Sequence, residues 1–252
     1  MKYKIGITEA GDAGIDLSWV DKLNFVDGAI VITKQITPQF KEAVLKNKNK
    51  LIIHATITGY GATMLEPNVP APQNEYDRLV ELINDGFPIN KIVVRVDPII
   101  PTTKGVKLAS QIIKAGIGLG FINYRISVID MYPHVRQRFS QNNLPLPYGE
   151  SGFYPSKAQF SDVDEMLKGL MEYGKSKIGD DFTIEACAEP QLKNVIHEGC
   201  IAARDLELLD LCDEKSEFYG YQRKDCMCYS GKTELLSSKK RCPHGCLYCY
   251  WK

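Results

Sequence analysis

The feature that most constrains this chain is a repeated alternation of short apolar segments with amphipathic ones. Six segments rich in Ile, Val and Thr predict buried strands, at residues 3–8, 29–33, 51–58, 91–96, 121–129 and 182–188. Most are too continuously apolar for a sheet with one face in water. Strands that alternate with helices indicate parallel pairing through crossover connections. We therefore predict an α/β protein whose six units form either an open parallel sheet or an incomplete barrel.

The segments between the predicted strands carry helical patterns. Thr37 precedes Pro38, which predicts an N-cap followed by the first helical residue. A second helix is predicted to end at Gly86. The segments 105–116 and 161–176 carry similar amphipathic patterns and are also predicted to be helices. Long segments without clear periodicity follow the third and fifth strands. In parallel α/β folds, loops after strand ends build the active site, so we expect function there.

The cysteines are the one unusual element of the composition. All eight lie at residue 187 or later, and the opening MKYKIGITEAGD lacks the apolar stretch of a signal peptide. We therefore predict a cytoplasmic protein without a membrane span, in which clustered cysteines bind metal rather than form disulfides. Lys and Arg together number 31, as do Asp and Glu, so net charge does not argue for a polyanionic partner.

The C-terminus carries the most specific motif, Cys242-Pro-His-Gly-Cys246-Leu-Tyr-Cys249. Three thiolates at this spacing can hold a [4Fe–4S] cluster and leave the fourth iron without a protein ligand. Most electron-transfer clusters have four cysteine ligands and no such open iron. The alternative is a structural zinc site completed by His244 or by another cysteine.

This C-x3-C-x2-C spacing, with Tyr248 before the last cysteine, resembles the signature of the radical S-adenosylmethionine enzymes. The resemblance implies a partial (β/α)6 barrel and an open iron that binds S-adenosylmethionine to initiate radical chemistry. It also implies an electron donor such as flavodoxin or ferredoxin. In that superfamily the motif follows the first strand, whereas here it ends the chain. We expect the tail to fold back over the barrel mouth.

A second resemblance covers nearly the whole chain. The chain resembles a bacterial family labelled domain of unknown function 1848, whose members have no established function. The blocks that carry the resemblance are WVDKL, AIVITKQITP, ATITGYG, EPNVP, VRVDPII, ISVIDMY, CAE, GCI, QRKDCMC and CPHGCLYCY. It implies an iron–sulfur barrel without naming a substrate.

Four further cysteines form a second candidate metal set. These cysteines lie in the family-like blocks, and four is the number of protein ligands in a closed metal site. They are Cys187, Cys200, Cys226 and Cys228. An auxiliary cluster, a structural zinc ion and unconnected buried thiols all remain open for this set. Cys212 lies on an apolar helical stripe and is predicted to be a buried thiol.

Polar residues within or after the strands are the remaining site candidates. A charged side chain in an apolar strand is costly unless it is paired or lines a cavity. The catalytic candidates are Arg95, Asp97 and Glu185, and the cofactor-binding candidates are Lys34, Thr56, Arg125 and Ser127. A structural ion pair is an equal alternative for Arg95. His54 is interpreted as a core histidine with satisfied hydrogen bonds.

Together these features predict a partial (β/α)6 barrel-like parallel sheet over residues 1–211 and a cysteine-rich metal-binding tail over 212–252. The predicted function is an iron–sulfur enzyme of radical S-adenosylmethionine type, acting on a small-molecule or nucleic-acid substrate that the sequence does not identify. The alternative is a non-radical iron–sulfur or zinc protein that binds nucleic acid or protein, or senses redox state. DNA-repair lyases are the nearest analogy of fold.

Overall fold

The structure is a computed structural model that describes residues 3–211, 227–236 and 242–251. Among these residues the strands are β1 (Ile5–Ile7), β2 (Gly28–Thr33), β3 (Leu51–Thr56), β4 (Ile92–Ile99), β5 (Asn123–Val128), β6 (Thr183–Ala186), β7 (Ile196–His197) and β8 (Lys232–Glu234). The α-helices are α1 (Pro38–Lys46), α2 (Pro72–Asn84), α3 (Thr103–Gly118), α4 (Pro133–Gln141), α5 (Lys157–Ile178) and α6 (Ala203–Leu208).

The strands form one sheet in the order β7-β6-β5-β4-β3-β2-β1-β8, and every pairing is parallel. From β1 to β6, neighbours in the sheet are also neighbours in the chain, so each connection crosses over through helical segments. The short strands β7 and β8 extend the two opposite edges. In the described part of the chain the sheet does not close on itself. The predicted α/β class and the partial barrel-like parallel sheet are thus confirmed.

Local capping explains where several helices begin. The Thr37 hydroxyl accepts a hydrogen bond from the amide of Phe40 at 3.1 Å, and α1 starts at Pro38, as predicted. Ser156 and Gln159 form a reciprocal capping box at the start of α5, with bonds of 3.2 and 3.0 Å. These side chains satisfy backbone groups that have no partner within the helix.

The two faces of the sheet differ in chemistry. One face packs against the helices, and its residues in β3 are Leu51, Ile53 and Ala55. The other face is apolar toward the amino ends of the strands, where its buried residues are Ile5, Ile7, Ile30, Ile52 and Val93. Toward the carboxyl ends this inner face becomes polar, because Thr56, Arg95, Arg125 and Glu185 lie side by side in the strand register. The carboxyl edge therefore combines polar side chains with the loops after the strands.

Helices α4 and α6 and the short strands β7 and β8 were not predicted from the sequence. Helix α4 lies in the segment after the fifth strand that shows no clear periodicity, and β7 and β8 have only two and three residues. The division of the chain at residue 212 stays a prediction, while residues 232–234 add β8 to the same sheet. Within the described ranges, no helix has the length and apolar character needed to cross a membrane.

Candidate metal centre

The C-terminal segment 242–251 lies against loops that follow β1 and β3. His244 is buried, and its Nε2 lies 2.9 Å from Oδ2 of Asp12, which follows β1. Its Nδ1 lies 3.1 Å from the carbonyl oxygen of Asn68, which follows β3. The amide group of Asn68 in turn donates to the carbonyl of Pro243 at 2.8 Å. These bonds hold the start of the segment at the carboxyl edge of the sheet.

Asp12 is the central acceptor in this contact. Its Oδ1 accepts from the amide of Gly14 at 2.8 Å and from the hydroxyl of Thr33 at 2.7 Å, and its Oδ2 accepts from the amide of Lys34 at 2.7 Å. Burial lowers the pKa of His244, but the hydrogen bond and charge of Asp12 outweigh burial and raise it. Since both ring nitrogens of His244 have partners, this arrangement does not offer the imidazole as a zinc ligand.

Tyr248 anchors the middle of the segment through a buried polar cluster. The Nζ of Lys34 donates to the Tyr248 hydroxyl at 2.7 Å and lies 2.8 Å from Oε1 of Glu66. Tyr248 itself donates to Glu66, whose Oε2 accepts from the hydroxyl of Thr58 at 2.8 Å. Burial, followed by the charge of Glu66, raises the pKa of Tyr248 well above its ordinary value. Lys34, a predicted cofactor-binding residue, therefore contacts the tail in this structure.

The three C-terminal cysteines surround one tight turn. Gly245 has a φ of +64°, a left-handed conformation that glycine adopts without strain. The amide of Cys249 donates to the carbonyl of Cys246 at 3.2 Å. The guanidinium of Arg138, from α4, donates to the carbonyls of both cysteines. The hydrogen bond within the turn and those from Arg138 thus fix the backbone that carries the thiols.

The three C-terminal thiols are less closely grouped than those of the second cysteine set. Burial raises the pKa of Cys246 to about 12, and the neighbouring charges of Cys249 and Cys242 add to this while Lys34 opposes it. The three sulfurs therefore lie within electrostatic range of one another. They do not form a group within 4.8 Å, in contrast to another cysteine set in the described ranges. A [4Fe–4S] cluster binds each thiolate to a different iron, so it needs thiols that are close but not in contact.

Three of the four predicted ligands of the second cysteine set lie close together in the structure. The sulfurs of Cys187, Cys200 and Cys228 all lie within 4.8 Å of one another, and this cluster could hold a metal ion. The sulfurs of Cys187 and Cys200 are 3.9 Å apart, and the amide of Cys200 donates to the sulfur of Cys228 at 3.1 Å. Cys226, the fourth predicted ligand, and Cys212 lie outside the described residues.

Gly199 makes this gathering possible. A Cβ at this position would lie 2.5 Å from both the amide nitrogen and the Cα of Cys228, and 2.6 Å from the carbonyl carbon of Met227. Only a residue without a side chain allows two backbone segments to approach this closely. The glycine immediately before Cys200 is therefore part of the site.

The carboxyl ends of β4 and β5 carry a polar group of predicted site residues. Arg95 forms an ion pair with Asp97, and Ser127 donates to the same carboxylate. Thr56 lies beside Arg95 in the strand register. Burial would raise the pKa of Asp97, but Arg95 and the Ser127 hydroxyl outweigh burial and lower it, so the carboxylate is ionised. The structure thus brings four predicted residues together.

Arg125 and Glu185 form a separate pair toward the second cysteine set. Arg125 is 1% exposed, donates to Glu185 and donates to the carbonyl of Cys200 at 2.9 Å. Arg204 lies 2.6 Å from the other Glu185 oxygen, and Asp205 lies 3.7 Å from Arg125. A guanidinium this buried is stable only with such partners.

Several residues of the site were missed or misread from the sequence. His54 lies in the core, as interpreted, but the expectation of satisfied hydrogen bonds was wrong, since neither ring nitrogen has a partner among the described residues. Asp12, Glu66 and Arg138 were not predicted at all. Asp12 and Glu66 follow the first and third strands, so the expectation that function lies after strand ends could have found them.

The chain was compared with known proteins in three ways. Residues 18–251 match the family described as Domain of unknown function (DUF1848). Neither the curated proteins nor the solved structures contain a match. Because the family match spans most of the chain and includes both cysteine sets, the chain belongs to the DUF1848 family.

Proposed function

We propose that this protein is an iron–sulfur enzyme of radical S-adenosylmethionine type. Cys242, Cys246 and Cys249 would hold a [4Fe–4S] cluster whose fourth iron is open to the cofactor. The observation that carries the proposal is the position of the C-terminal segment at the carboxyl edge of a parallel sheet. In folds of this class, that edge is where active sites form.

The contacts of the segment explain why a motif at the chain end supports this function. His244 is bound to Asp12, which follows β1, and Tyr248 is bound to Lys34 and Glu66, which follow β2 and β3. A loop directly after the first strand would start from the same edge. The motif is displaced in sequence, and its contact with the loop after β1 supports the proposal.

The surrounding residues supply positioning and polarity. Lys34 places a positive charge near the thiolates, and Arg138 orients the backbone of Cys246 and Cys249. When bound, the cluster would supply one electron, received from a flavodoxin or ferredoxin, for cleavage of the cofactor's sulfonium group.

The strand-end residues lie within range of the tail. The charges of Asp97 and Glu9 act on Tyr250, which is 54% exposed. The tail therefore lies near the group formed by Asp97, Arg95 and Ser127. Their donors and acceptors suit the recognition of a polar cofactor or substrate.

The test is electron paramagnetic resonance of anaerobically reconstituted, dithionite-reduced protein, with and without S-adenosylmethionine. We expect a cubane signal that shifts when the cofactor is added and is absent in Cys246→Ala. Cys212→Ala is the matched control, because it removes a thiol that belongs to neither predicted set and should leave the signal unchanged. A cluster signal that ignores the cofactor would refute the radical mechanism and favour a redox-sensing or binding role.

A further inference from the structure

The second cysteine set joins the two edges of the open sheet. Cys187 directly follows β6, and Cys200 lies three residues after β7, so both belong to one edge. Cys228 lies shortly before β8, which pairs with β1 at the opposite edge. Strand pairing alone leaves these edges unconnected in the described part of the chain. The thiols nevertheless meet within 4.8 Å.

The sulfur distances match a single ion. With a zinc–sulfur bond of about 2.3 Å, the corners of a tetrahedron are about 3.8 Å apart. The observed separation between the sulfurs of Cys187 and Cys200 is 3.9 Å. A cubane holds its thiolates farther apart, because each binds a separate iron atom. The second cysteine set therefore suits a single zinc ion.

The backbone around the thiols has the hydrogen bonding typical of a thiolate metal site. The amide of Cys200 donates to the sulfur of Cys228 at 3.1 Å, which orients and stabilises a thiolate. One residue farther along both segments, the amide of Tyr229 donates to the carbonyl of Ile201 at 3.2 Å. The close approach at Gly199 permits both bonds.

The buried surroundings also balance the charge. Three thiolates and one divalent cation carry a net charge of about −1. The guanidinium groups of Arg95 and Arg125 both act electrostatically on Cys200, and Arg125 also donates to the Cys200 carbonyl. Buried cations beside an anionic site reduce the cost of placing it in the interior.

The geometry points to one zinc ion bound by Cys187, Cys200 and Cys228 that closes the open sheet by linking its two edges. A further ligand completes the tetrahedron. This site is separate from the proposed catalytic cluster and does not depend on the radical mechanism. Its role is structural, since it fixes the segments that lead into β7 and β8 onto the inner face of the sheet.

The first test is metal analysis of the full chain carrying Cys242→Ala, Cys246→Ala and Cys249→Ala. These changes remove the proposed cluster ligands, so failure of the proposed function cannot be mistaken for failure of the zinc site. We expect one zinc per chain, no acid-labile sulfide, and the visible bands of tetrahedral thiolate cobalt after replacement with Co²⁺. Iron with sulfide, or a chain that binds no zinc, would overturn the inference.

Two substitutions in the same background separate ligation from folding. Cys228→Ser should lose the zinc, whereas Cys228→His keeps a zinc ligand and should retain both the ion and a cobalt spectrum shifted by the change from sulfur to nitrogen. Retention of full zinc by Cys228→Ser would show that Cys228 is not a ligand.

Hydrogen exchange tests the closure itself. Removing zinc with a chelator should speed amide exchange at Lys232–Glu234, in β8, by at least tenfold. Exchange at Leu51–Thr56, in the central strand β3, should change far less, because that strand is paired on both sides. Equal exchange in β8 with and without zinc would overturn the closing role.

Discussion

Replacing Gly199 with alanine tests the packing that brings Cys200 and Cys228 together. The new Cβ would meet the backbone of Cys228 at 2.5 Å, and ordinary contact begins at 3.4 Å. The two segments must therefore separate by about 0.9 Å, as overpacking requires. Neither partner is the flexible end of a side chain, so rotamer changes cannot relieve the contact.

The magnitude follows from two contributions. Overpacking costs about 1–3 kcal/mol. The separation also weakens the bonds from the amide of Cys200 to the sulfur of Cys228 and from the amide of Tyr229 to Ile201, each contributing about 0.5–1.5 kcal/mol. A total of about 2–6 kcal/mol, at about 2–4 °C per kcal/mol for a protein of this size, corresponds to a Tm lower by roughly 4–24 °C.

The assay is thermal unfolding followed by circular dichroism, together with zinc content. Gly169→Ala is the matched control, because Gly169 lies within α5 with open space around its Cα. That change should stabilise the protein by up to about 1 kcal/mol, since alanine favours the helix. If Gly199→Ala left both Tm and zinc content unchanged, the proposed contact between the two segments would be refuted.

Two further predictions concern buried groups. Glu185→Ala should lower the free energy of unfolding in urea by about 3–5 kcal/mol, because Arg125 and Arg204 lose their shared carboxylate. The exposed pair disrupted by Asp85→Asn should have a much smaller effect, and equal effects would contradict the burial argument. Burial raises the pKa of Tyr60 to about 12, so the unfolded chain releases this proton first. Stability should be intact below pH 10 and fall between about pH 10 and 12, by up to about 1.4 kcal/mol per pH unit. Tyr60→Phe should remove this component in urea titrations at each pH, and an unchanged slope would exclude it.

Local sequence patterns predicted most of the regular structure. All six predicted strands form, although β1 keeps only three residues of its apolar segment, and helix α1 begins where Thr37 and Pro38 indicate. Helix α4 escaped prediction because its segment is mostly polar, with Val135 and Phe139 as its buried residues. Strands of two or three residues, such as β7 and β8, are too short to show a period.

The sequence by itself determined that this chain forms a parallel α/β sheet and carries two sets of candidate metal ligands. Periodicity and residue type encode these properties, because each depends on neighbours only a few positions away. Only the tertiary structure decided which groups meet. It bound His244 to Asp12, across more than two hundred residues, and gathered Cys187, Cys200 and Cys228 from opposite edges of the sheet. Such contacts depend on strand order and loop paths, which short-range patterns do not specify.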